Sequence, residues 1–213
     1  MTVVTRNAVL GILALASMAS NSRTWSFEPD KVQSAPSGFS FALTGDGRPG
    51  KWVVLSEKGA PSGSAILAQI DTDETDYRFP LAIAEGLRLK DLRLRVKCKP
   101  VAGKVDQACG LVFRYKDESN YYVTRLNALE NNVRLYHVQD GRRIQFAGWN
   151  GKVTKNAWHD VVVEARDDRF KVFFDGKLVI EASDRTFREP GRVGLWTKAD
   201  SVTYFDDLTA TGL

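Results

Sequence analysis

Residues 109–148, CGLVFRYKDESNYYVTRLNALENNVRLYHVQDGRRIQFAG, alternate apolar and polar side chains with a period of two and are broken by short polar turns. That period commits the segment to consecutive antiparallel strands, because a helix would spread the same residues around its circumference. Leu111, Phe113 and Tyr115 fall on one face and Val112 and Arg114 on the other, residues 116–120 supply a turn, and residues 121–128 alternate again with Arg125 and Asn127 together. Arg114 and Arg125 are therefore expected on neighbouring strands. A half-buried sheet ordinarily turns short polar groups to water, so guanidinium, amide and aromatic groups sharing an outer face point to a binding surface, and that mixture suits sugars.

The same pattern continues to the end of the chain. Asp140-Gly141 and Asp175-Gly176 separate alternating runs, and Asp-Gly between such runs is the strongest short hairpin signal. Asp167-Asp168 separates another pair, and residues 192–198 and 202–209 read as two further strands. In the front half, strands are expected at 51–55, 65–69 and 81–84 among long Gly- and Pro-marked loops. No segment sustains a 3.6-residue period, and strands at short, even spacing indicate a sandwich or barrel. A chain of 213 residues, 43% hydrophobic, can bury a full core. Without a linker or an internal repeat, residues 20–213 are expected to form one domain.

Residues 1–19 read differently. Arg6 precedes the apolar run at 8–19, AVLGILALASMA, and polarity rises at Ser20-Asn21-Ser22-Arg23. The run is too short for a span of about 20 residues and ends in the small residues of a cleavage site, so a cleaved secretory signal peptide is expected, an uncleaved anchor being the alternative. Nothing after it is apolar and long enough to span a bilayer. The expectation is an exported protein, periplasmic or extracellular, with no membrane span in the mature chain.

The formal net charge is only +4. Its one concentration is LRLKDLRLRVKCK, where Arg93, Arg95, Lys97 and Lys99 share a face. Such a stripe fits either attraction to an acidic polysaccharide or lipid head group or a solvated outer face blunted by lysine. Nucleic acid is not an expected partner, because no recognition module or aromatic interleaving accompanies the basic residues. Cys98 and Cys109 both fall on inward parity, flanking a turn with Pro100 and Gly103. In an oxidising compartment a disulfide between adjacent strands of one hairpin is expected; two buried free thiols are the alternative.

Four segments carry a resemblance: residues 60–86 (APSGSAILAQIDTDETDYRFPLAIAEG), 103–143, 157–177 and 191–208. They resemble the 3-keto-disaccharide hydrolase domain family. That resemblance implies an all-β, two-sheet antiparallel jelly-roll sandwich of the concanavalin A-like or laminin-G-like type, with a concave sheet used for carbohydrate. In characterised relatives it implies hydrolysis of glycosides whose sugar carries a 3-keto group.

The residues leave the chemistry open. Ordinary glycosidases of this fold need Glu-x-Asp-x-x-Glu on one strand, and no such array exists here. A 3-keto group acidifies the neighbouring C2 proton and lets the leaving group depart by elimination, which needs only a base and an enolate stabiliser. Arg114, Arg125 and Lys198 are candidate oxyanion stabilisers; Asp117, Glu130, Asp200 and Tyr121 are candidate proton carriers, none singled out by its context. The acidic run at 71–76 has carboxylates for calcium but lacks the Gly and distal Glu of an EF-hand loop, so no metal site or cofactor is assigned. His137 and His159 read as ordinary edge histidines, Trp158 as core. Trp196 has outward parity, since Val193, Leu195 and Thr197 take the other face, which makes it either a sugar platform or a packing residue. The expected ligand surface comprises Arg114, Tyr121, Arg125, Asn127, Trp196 and Lys198. It belongs either to a hydrolase of 3-keto glycosides or to a non-catalytic glycan-binding module.

Overall fold

The computed structural model describes residues 22–213, so the expected signal peptide lies outside the described residues. Among these there are fifteen strands and no helix. They are β1 (Ser22–Trp25), β2 (Phe39–Gly45), β3 (Trp52–Ser56), β4 (Ala65–Gln69), β5 (Arg78–Ala84), β6 (Leu92–Ala102), β7 (Ala108–Asp117) and β8 (Asn120–Asn127). The remainder are β9 (Asn132–Gln139), β10 (Arg142–Asn150), β11 (His159–Arg166), β12 (Arg169–Phe174), β13 (Lys177–Ser183), β14 (Arg192–Trp196) and β15 (Val202–Gly212). No helix among the described residues is long and apolar enough to cross a membrane.

Every pairing is antiparallel. The first sheet runs β13-β12-β11-β6-β15-β4-β3, with β1 also pairing β15; the second runs β10-β9-β8-β7-β14-β5-β2. Local hairpins form where the sequence places turn residues: Asp140, Gly141, Asp175 and Gly176 all take positive φ, the backbone of a tight hairpin turn. β1 and β2 were not anticipated, because the four residues of β1 are too few to show alternation, and β2 has Pro36 and Gly38 before it and Gly45 and Gly47 at its end.

One large apolar cluster lies between the sheets. Leu92, Leu94 and Val96 of β6 meet Leu111 and Phe113 of β7 and Val161 and Val163 of β11, as period-two alternation requires. Cys98 and Cys109 are bonded, with Cα atoms 6.5 Å apart. They do not belong to one hairpin, however: β6 lies in the first sheet and β7 in the second. Both sulfurs point inward, as parity indicates, and the bridge joins the two sheets through the core.

The basic stripe is neutralised on its own sheet. Arg93 pairs with Glu164, Arg95 and Lys97 with Asp160, and Lys99 with Glu57. The register explains it, since Glu164 stands opposite Arg93 and Asp160 opposite Lys97. Trp158, expected in the core, instead lies half-buried on this outer surface, where its Nε1 donates to the Gly59 carbonyl and the Lys99 ammonium lies 5.7 Å from its ring.

Candidate functional site

The outward face of the second sheet carries an apolar cluster of its own, separate from the main core. Phe79, Leu81, Val112, Tyr121, Tyr136 and Trp196 belong to it. One row of paired residues crosses the strands in the order Leu81, Trp196, Gly110, Arg125, Arg134. Gly110 is required there: a Cβ would come within 2.9 Å of the Thr124 carbonyl oxygen and 3.2 Å of both Trp196 and Arg125. The indole and Arg125 therefore flank the space left by the missing side chain.

At one end this face curls closed. Tyr77, just before β5, donates its hydroxyl to the Gly141 carbonyl in the β9–β10 turn and accepts from the Arg143 amide, although β5 and β9 are four strands apart. Thr44 of β2 reaches the Glu118 carbonyl and the Tyr121 hydroxyl. Arg143 lies across the enclosed rings, 4.4 Å from Phe79, 4.7 Å from Tyr136 and 5.6 Å from Trp196. Trp196 has outward parity as expected but is completely buried under this cover, as is Tyr121, whose hydroxyl burial makes harder to ionise.

The other end is polar, and it is open where the Glu130 and Asp76 side chains reach the surface. Arg125, only 3% exposed, donates Nη1 to Asn132 Oδ1 at 2.6 Å and Nη2 to Glu130 Oε2 at 2.8 Å and the Tyr136 hydroxyl at 3.1 Å. Its buried Nε has no partner among the described residues. Asn127 donates to Asp106 Oδ1 at 2.6 Å, while its own Oδ1 accepts the amides of Leu129 and Glu130 and so shapes the turn that delivers Glu130. Lys198 reaches Asp76 at 2.5 Å and Asp106 Oδ2 at 3.1 Å. Burial opposes the Lys198 charge, but the bond to Asp76 and the charge of Asp106 outweigh it and keep the ammonium protonated. Burial pushes the Asp106 carboxyl above the ordinary range, against the pull of Lys198 and Arg125. Glu130 is also opposed by burial, yet its bonds from Asn132 and Arg125 and the charges of Arg125 and Lys198 hold it below the usual range.

Arg114 does not share this face. A register break against β14 places it at φ 47°, a β-bulge that reverses parity. Its fully buried guanidinium donates to the carbonyls of Lys90, Phe187 and Asp167 and lies 5.5 Å from Phe170. Tyr115 is turned outward by the same bulge, into the cluster of Tyr121. Of the six expected ligand-surface residues, the structure gathers Arg125, Asn127 and Lys198 at the open end, places Tyr121 and Trp196 beneath the cover, and separates Arg114.

The other candidates have structural partners. Asp200 accepts the amides of Lys104, Val105 and Asp106, thereby holding the loop that carries Asp106. Asp117 caps its own turn through Ser119 and Asn120. The acidic run is an ordered turn: Asp71 accepts from Asp73, Asp73 from Thr75 and Arg48, and buried Arg78 pins it through Asp71. His159 bonds Asp175 and the Thr154 carbonyl; His137 meets Asp184, which also accepts from Tyr122. Sequence reading missed Asp106, Tyr136 and Arg143. Outward parity on β9 and β10 could have found the last two; Asp106 sits in a loop, where alternation gives no signal.

The two-sheet fold is shared with several solved structures. The carbohydrate binding module CBM66 from Bacillus subtilis aligns with 80% of this chain and 94% of its own, at 21% identity and a TM-score of 0.63. The Bacillus licheniformis β-glucanase aligns with 90% of this chain and 98% of its own, at 12% identity and a TM-score of 0.57. The fold is a concanavalin A-like jelly roll. A levanase of Bacillus subtilis (strain 168) is 32% identical over 105 residues, 48% of this chain. The match spans 15% of the levanase's length. No family model matches the chain, the 3-keto-disaccharide hydrolase family included.

Proposed function

We propose that this chain is an exported carbohydrate-binding module whose ligand sits at the open end of the second sheet's outward face. The observation that carries this reading is the cluster of Arg125, Asn127, Asp106 and Lys198. These buried polar groups offer donors and acceptors side by side, at the edge of an aromatic cluster and in a preorganised network. Sugar hydroxyls need that alternation of donor and acceptor. The similarity in fold to a carbohydrate binding module and the partial match to a levanase support it. Export is supported by the leader-like residues 1–19 and by the disulfide.

A hydrolytic role, as the family resemblance implies, would fall to Asp106. Its carboxyl is made less acidic by burial and faces the Lys198 ammonium, so it could take the C2 proton of a 3-keto glycoside while Lys198 and Arg125 stabilise the enolate. Titration calorimetry with levan, β-glucan and acidic polysaccharides, run beside turnover assays on 3-keto and ordinary glucosides, tests both. Binding without turnover that weakens at least about tenfold, near 1.4 kcal/mol, in Lys198→Ala supports the module. Turnover abolished by Asp106→Asn supports the hydrolase, and absence of both sinks the placement.

A further inference from the structure

The charges at the open end divide into two groups that the fold treats differently. The cations are buried, with Arg125 3% and Lys198 8% exposed. Each is held in place without help from the surface: Arg125 by Asn132 and Tyr136, Lys198 by the buried Asp106. Their remaining counterions are at the surface, the side chain of Glu130 being 48% exposed and that of Asp76 75% exposed. A buried cation must keep a counterion, but an exposed carboxylate can swing into water at small cost. The positions of Glu130 and Asp76 are thus anion positions whose occupant is exchangeable. Around Glu130 the charges of Arg125 and Lys198 converge, and the buried, unpartnered Nε of Arg125 offers a further donor. Arg134 and Arg143, on the same face, keep it cationic.

We propose that the ligand of this face is an acidic glycan, whose sugar carboxylate displaces Glu130 or Asp76 and binds between Arg125 and Lys198. The inference rests on the carbohydrate-binding reading above. Arg125 and Lys198 would supply charge-assisted bonds to the carboxylate. A neutral sugar would make the opposite use of the surface acids, taking Glu130 and Asp76 as hydroxyl acceptors.

The two uses give opposite signs on mutation. Calorimetry with the purified chain should use an oligogalacturonate, the same oligomer after carboxyl reduction, and a neutral β-glucan oligosaccharide. The expected result is that carboxyl reduction weakens binding by about tenfold or more, and that Glu130→Gln and Asp76→Asn each tighten oligogalacturonate binding by roughly threefold or more as a competing anion is removed. The affinity should also fall as salt is raised. Thermal unfolding of each variant checks its fold; Asp76→Asn, at the more exposed position, gives the same readout if Glu130→Gln unfolds. Weaker binding of every glycan in the folded variants, or equal affinity for the acidic and reduced oligomers, overturns the proposal and leaves the carbohydrate reading standing. Binding to none of the three, nor to the other glycans above, overturns both.

Discussion

The guanidinium of Arg143 lies over the indole of Trp196, 5.6 Å from its ring, and over the Phe79 ring at 4.4 Å. A residue with the parity of an exposed sugar platform is thereby sealed from water. Trp196 Nε1 is buried and has no hydrogen-bond partner among the described residues. Arg143 contributes one long side chain to the cover and is held at its backbone by Tyr77. Arg143→Ala should expose the indole at a cost of about 1–2 kcal/mol in lost cation–π contact and packing. Tryptophan emission should shift to the red and acrylamide quenching should rise, measured against an Arg142→Ala control. Unchanged quenching would mean that other groups seal the ring.

Arg114 and Arg125 differ in consequence although both are buried. Three backbone carbonyls from separate loops converge on Arg114. Arg114→Ala leaves them unsatisfied, and the expected loss is about 3 kcal/mol or more, with poor rescue by lysine, which lacks the planar fork. Chemical denaturation measures it. A loss below about 1 kcal/mol would show that water replaces the guanidinium without penalty.

The bridge between Cys98 and Cys109 closes a loop of sequence separation 11 and joins the two sheets. Loop-closure entropy puts its contribution at about 3 kcal/mol. Cys98→Ala/Cys109→Ala should therefore unfold at lower denaturant concentration by that amount. Thiol titration of the unreduced, denatured protein should find no free thiol; two reactive thiols would contradict the bond.

Asp206 is fully buried on β15, accepting from the Ser62 and Asp207 amides, and burial raises its pKa to about 6. The folded state therefore binds this proton more tightly than the unfolded chain, whose aspartate titrates near 4. The stabilisation is fully present below about pH 4 and is lost as pH rises through about 6, up to roughly 3 kcal/mol. Asp206→Asn, which stays neutral, should gain on the wild type by that margin between pH 4 and pH 7 in urea unfolding. Parallel curves across that range would refute the assignment.

The sequence by itself determined the period of the strands, the place of their turns and the inward parity of the bonded cysteines. These follow from local chemistry: alternation fixes which side chains share a face, and Asp-Gly pairs accept the positive φ seen at 140–141 and 175–176. It also set Arg125, Asn127 and Trp196 on one outward face. Only the tertiary structure decided which sheet each strand joins, because β6 beside β15 and β7 beside β14 are pairings of distant segments that alternation does not encode. That choice moved the disulfide from a hairpin to the space between sheets. A single bulge turned Arg114 inward, since one extra residue against β14 reverses parity. Burial of Trp196 was decided by what crosses above it, because alternation reports the face of a strand and says nothing of its cover. Asp106 joined the site through a loop fastened by Asp200, some 94 residues away in sequence.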